Sequence, residues 1–202
     1  MLANSRLGAI AIAVLSQPLA AQSATWVVAP RYGSAGEAAL FAARIAPHWV
    51  IGEEFTVDVH SGDKALALAA GPRITGAAVS LIVIGGPVTA SGGDWYAGLY
   101  VAPAVHAGPI AATGTLEFFF PITTSARFVF EVSHARLLVP MGSRWRGGAF
   151  FHMVKSAGDP ADSELGGSLR LRAGSGFTVT ADGARGLGKT RSEVIVTVQR
   201  EW

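Results

Sequence analysis

Apolar and polar residues alternate with period two along most of the chain, and helical periodicity is scarce, which is the signature of a sheet protein. From Glu53 to His60, Phe55, Val57 and Val59 point one way and Glu54, Thr56, Asp58 and His60 the other. Leu116, Phe118 and Phe120 alternate against Thr115 and Glu117, and Phe128, Phe130 and Val132 against Arg127, Glu131 and Ser133. The turn-forming stretch 121–125 between these two runs predicts a hairpin. Leu169 and Leu171, then Phe177 and Val179, then Val194, Val196 and Val198 continue the pattern as a C-terminal meander. Shorter strands are expected at 25–29, 49–51, 95–101 and 145–154, while 37–45 fits either a short helix or an apolar strand. The run 74–84 is apolar on both faces and reads as a central strand covered on both sides. Glycine and proline clusters at 85–87, 91–93, 103–109, 140–143 and 158–160 punctuate the strands.

The N-terminus departs from this pattern. One positive charge, at Arg6, precedes the apolar run Leu7 to Leu15, then Pro18 and the small residues Ala20, Ala21, Ser23 and Ala24. That order is the pattern of a cleavable signal peptide, assigned to residues 1–23, and it predicts an exported protein whose one domain occupies 24–202. No later segment approaches the roughly twenty apolar residues of a spanning helix.

Composition narrows the classes further. The chain of 202 residues has no cysteine, which removes disulfide scaffolds, thiol nucleophiles and cysteine-based metal sites. Of its 16 Lys and Arg, one (Arg6) leaves with the signal, so 15 face 14 Asp and Glu. These charges are scattered, which argues against nucleic acid as a partner.

Eight to twelve strands in one domain lead to the expected fold: all-β, a single antiparallel β-sandwich of jelly-roll or immunoglobulin-like type, with a small up-and-down β-barrel as the alternative. Strands that look shorter than the roughly 9–11 residues of a membrane span weigh against the barrel.

Candidate chemistry is sparse. Gly183 to Thr190 (GARGLGKT) matches the phosphate-loop pattern letter by letter, but an alternating strand follows where that motif needs a helix, so a Gly-rich turn is the expectation and nucleotide binding is not. Glu54, Asp58 and His60 share a predicted strand face and are weak candidates for acid–base catalysis, since alternate residues on a solvated strand face are expected to be polar in any case. No metal site or cofactor is expected. His134 falls by parity on the Phe128, Phe130, Val132 face, where a hydrogen-bonded core or interface histidine is expected. Trp95, Tyr96 and Tyr100, and Arg144, Trp145 and Arg146, combine rings with polar or cationic neighbours and are the binding candidates for a carbohydrate or peptide.

The last strand sets Val194, Val196, Val198 and Trp202 against Thr197, Gln199 and Glu201, with Arg200 interrupting the apolar row. This is similar to the closing strand of outer-membrane barrels. The chain as a whole resembles exported β-sandwich domains of fimbrial-like or periplasmic binding type, with short strands and glycine turns. The resemblance implies a non-catalytic periplasmic or cell-surface protein that binds a ligand or other subunits, the latter by strand-edge pairing. An eight-stranded outer-membrane barrel and a secreted hydrolase are the two alternatives.

Overall fold

The structure, a computed structural model, describes residues 24–187 and 192–202. The signal peptide expected over 1–23 lies outside the described residues.

Most of the alternating runs are strand, although Val59 and His60 fall in a turn and Arg127 and Phe128 in a connection. Twelve strands follow one another: β1 (Thr25–Gly33), β2 (Glu37–Ile45), β3 (Trp49–Asp58), β4 (Lys64–Thr75), β5 (Val79–Ala90), β6 (Trp95–Ala107), β7 (Ile110–Pro121), β8 (Val129–Pro140), β9 (Trp145–Ser156), β10 (Asp162–Arg172), β11 (Phe177–Gly186) and β12 (Ser192–Glu201). Each pairs antiparallel with the next, and β12 returns to β1, so the sheet closes on itself as a barrel. Trp26 and Trp202 fasten the seam with reciprocal backbone hydrogen bonds of 2.9 and 3.1 Å.

The expected sandwich is therefore wrong, and so is the eight-strand count of the barrel alternative. A sandwich has two sheets and four edges; here one sheet has none, because every strand is bonded on both sides. The strands are also longer than expected: they run from nine to thirteen residues, enough for a span. The error lay in the punctuation. Gly85-Gly86-Pro87 lies in the middle of β5, where Gly86 serves close approach, since a Cβ there would stand 2.0 Å from the Leu68 carbonyl oxygen. Pro103 lies inside β6. Conversely, the supposed central strand 74–84 is the end of β4, a turn at 76–78 and the start of β5. Segment 37–45 is strand β2 throughout.

The sense of the faces is inverted with respect to a soluble domain. Phe55, Leu68, Phe120, Leu137, Leu165, Leu169, Val194, Val196 and Val198 are all exposed on the outside. The polar partners in the alternation point inward, and Ser133, Glu164, Ser168, Thr180 and Asp182 are buried. Two short connection sets cap the ends. At the end carrying the two termini the turns have two to four residues; at the other end they have three to seven, the longest being 122–128. Among the described residues, no connection is long enough to fold back and plug the interior.

Candidate functional site

Because side chains alternate across each strand, every second residue of twelve strands is delivered to one interior. Arg31 of β1 stands at its centre. Its Nη2 donates to Glu37 Oε1 of β2 at 2.8 Å and to Glu54 Oε1 of β3 at 3.2 Å, and its Nη1 contacts Nε2 of His134 on β8. Glu117 of β7 and Glu131 of β8 lie directly opposite each other in the ladder, and His152 Nδ1 of β9 is 3.8 Å from Glu131 Oε1. One guanidinium thus faces several carboxylates.

His134 reaches this cluster through a β-bulge. Register shifts between Val132 and Ala135, so that Ser133 and His134 together oppose one residue of β9, and His134 takes the left-handed backbone at φ 50°. Strict parity would have sent His134 outside with Phe130 and Val132; the extra residue turns it inward.

A second ion pair lies farther round the wall. Arg136 donates from Nε to Asp182 Oδ1 at 2.9 Å and from Nη2 to Oδ2, a two-pronged contact with a carboxylate that is wholly inaccessible to solvent. The guanidinium also stacks 5.7 Å from the Phe150 ring, and Phe150 and Leu138 are fully buried beside it. This side of the interior is filled.

The opposite side is open. A cavity of about 390 Å³ runs toward the end with the termini, past Ile45, Val50 and Gln199, and one of about 200 Å³ runs toward the other end, past Glu37, Thr56 and Glu131. The two share Arg31, Glu54, Tyr100, Glu117 and Ser133, which therefore form the partition between them. Tyr100 is held there edge-on to Phe119, with centroids 5.7 Å apart. The arrangement is two stacked, off-centre cavities that meet at a charged waist.

The residues singled out from the sequence scatter. Glu54 lies in the waist, tied to Arg31. Asp58 ends β3, and its Oδ1 accepts from the backbone N–H of His60 at 2.7 Å and of Ser61 at 3.1 Å, which shapes the β3–β4 turn. His60 is in that turn, exposed, so the three do not share a strand face. Trp95 is outside and 47% exposed, whereas Tyr96 and Tyr100 point inward onto Phe119. Arg144 is in a turn, Trp145 is exposed outside, and Arg146 is on the inner face in register with Arg170. Alternation thus separates neighbours that looked like one patch. Gly183 to Gly186 is strand, not the entrance to a helix, and 188–191 lie outside the described residues. Arg31, Glu117, Glu131, Arg136 and Asp182 were missed; their one signal was a charge at an alternate position of an otherwise apolar strand.

Fold and interior together define a class: twelve-stranded antiparallel barrels with an apolar exterior and a polar lumen. Solved structures agree. The chain is similar to the KdgM porin, with a TM-score of 0.59 at 9% identity over 87% of this chain and 98% of that one. It is similar to the NanC porin, with a TM-score of 0.58 at 13% identity over 86% and 97% of the two chains. At these identities the likeness is one of fold. No family model matches the sequence, and no curated protein matches it.

Proposed function

We propose that this chain is an outer-membrane β-barrel that forms a narrow, water-filled passage for small hydrophilic solutes, with the waist around Arg31 as its constriction. The observation that carries the reading is the pair of stacked cavities meeting at Arg31, Glu54 and Glu117 inside a barrel with no connection long enough to close it.

The exterior supports the membrane part. Only water-free surroundings reward an apolar face turned outward on all sides, and a closed barrel satisfies every backbone N–H and C=O internally. Aromatic residues collect at both ends of that face. At the end with the termini stand Trp26, Trp49, Trp145, Phe177 and Trp202; at the other stand Tyr32, Trp95 and Phe120. Such belts mark the two headgroup levels. Arg200 fits among them, since its guanidinium lies 5.0 Å from the Phe177 ring and 5.1 Å from the Trp202 ring at the belt and not in the hydrocarbon. The shorter turns on the side of the termini match the periplasmic side of such barrels. The localisation that follows is the outer membrane in place of a soluble periplasmic or surface domain.

Planar-bilayer recording tests the passage. The refolded protein is expected to give discrete conductance steps, and Arg31→Ala to enlarge them and to shift the reversal potential in a salt gradient toward greater cation preference. Removing the guanidinium widens the waist and leaves Glu37, Glu54 and Glu117 to set its charge. Correctly folded barrels that never conduct would contradict the passage while leaving the membrane barrel intact.

A further inference from the structure

Glu53 faces the wrong way. It precedes Glu54 on β3, and since Glu54 lines the lumen, Glu53 points outside, in register with Ala42 of β2 and Leu68 of β4. Its outward neighbours along β3 are Ile51 and Phe55, with Trp49 of the aromatic belt two outward positions below. Glu53 thus sits in the middle of the apolar band. Among the described residues no ion pair or hydrogen bond reaches it. Arg44 lies one outward position nearer the belt, and its guanidinium is stacked 5.8 Å from Trp26 and 5.9 Å from Trp49. A carboxyl in hydrocarbon without a partner is costly, and such residues mark contacts or pathways.

We propose that the outer face of β2 to β5 around Glu53 is the interface with a second copy of this chain, the two Glu53 carboxyl groups hydrogen-bonding to each other across a twofold axis along the membrane normal. The inference rests on the reading of the chain as a membrane barrel. Copies inserted in one direction place equivalent residues at the same depth, so Glu53 can meet only what a second copy offers at its own level. In register with Glu53 on the outer face are Ala42 and Leu68, and the outward residues near mid-strand on β8, β9 and β10 include Leu137, Ala149 and Leu169; none of these is a cation or an amide. A carboxyl group, however, complements itself, because one can donate the proton that the other accepts. The surface around it suits close approach: Ala42, Ala70 and Gly85 leave a shallow floor, and Leu40, Phe55 and Leu68 stand exposed about it.

The absence of cysteine makes the test clean. Ala42→Cys, beside Glu53, and Ala149→Cys, on β9 across the barrel, are reconstituted separately into phospholipid vesicles and oxidised. A disulfide-linked dimer is expected from the first and not from the second. Added to Ala42→Cys, Glu53→Gln is expected to keep the dimer, because an amide also donates and accepts, and Glu53→Leu to lose it. Heat-dependent gel mobility verifies that each variant is a folded barrel, so a failure of the barrel reading is seen separately. Folded protein in which Ala42→Cys links no better than Ala149→Cys, or in which Glu53→Leu dimerises as well as the parent, overturns the interface. A monomer that pairs only with some other protein overturns it too.

Discussion

At the scale of single residues, the interior holds charge by pairing it. Asp182 has no access to solvent and is held by two guanidinium nitrogens of Arg136. Removing one partner of a buried pair leaves an uncompensated charge and costs about 3–5 kcal/mol. Arg136→Ala is therefore expected to lower the midpoint of urea unfolding in lipid vesicles markedly, and a further Asp182→Asn to recover part of the loss. An Arg136→Ala barrel as stable as the parent would show that water reaches Asp182 after all. None of this pairing was legible beforehand, because Arg136 and Asp182 are 46 positions apart and meet only through the closure of the sheet. Glu54 was picked out on its strand, but for acid–base chemistry, and its tie to Arg31 spans three strands' worth of topology. Parity places His134 on the face of Phe130 and Val132 because counting by two does not register the extra residue at the Ser133–His134 bulge, which turns this hydrogen-bonded histidine to the interior.

Each strand presents an apolar face outward and a more polar one to the lumen, and on the proposed reading, with hydrocarbon outside, adjacent residues should tolerate charge differently. On β12, Val196 is 40% exposed on the outside, while Thr197 lines the larger cavity. Val196→Arg is expected to destabilise the barrel by about 2–4 kcal/mol, the cost of a cation on the lipid face near mid-depth. Thr197→Arg, one position on, should fold normally and narrow the passage, as refolding yield and single-channel conductance would show. Equal tolerance at both positions would speak against an outer apolar face. The strands themselves were legible in the alternation of Phe55, Val57 and Val59, or of Val194, Val196 and Val198. What alternation cannot convey is which face is inside: period two says only that the two faces differ. A soluble sandwich hides the valines and a membrane barrel displays them, and the sequence pattern is the same for both.

For the whole molecule, closure is the property that decides between those readings. Twelve strands of nine to thirteen residues, joined in sequence order and sealed where Trp26 meets Trp202, leave no edge to blunt and a lumen to line. Strand number and length were obscured by Gly85, Gly86, Pro87 and Pro103, which read as turns but lie within β5 and β6. The terminal row of Val194, Val196, Val198 and Trp202 carries the better hint, and Arg200, which interrupts it, lies against the Phe177 and Trp202 rings at the end of the strand. The most direct test again uses the absence of cysteine. Single cysteines at Val196, Thr197, Val198 and Gln199 are introduced into protein embedded in vesicles and exposed to a membrane-impermeant, water-soluble maleimide. Reaction at 197 and 199, with 196 and 198 protected until the bilayer is dissolved, is the predicted result. Protection at 196 and 198 that persists in free, unlipidated protein would place the valines in a soluble core and contradict the barrel.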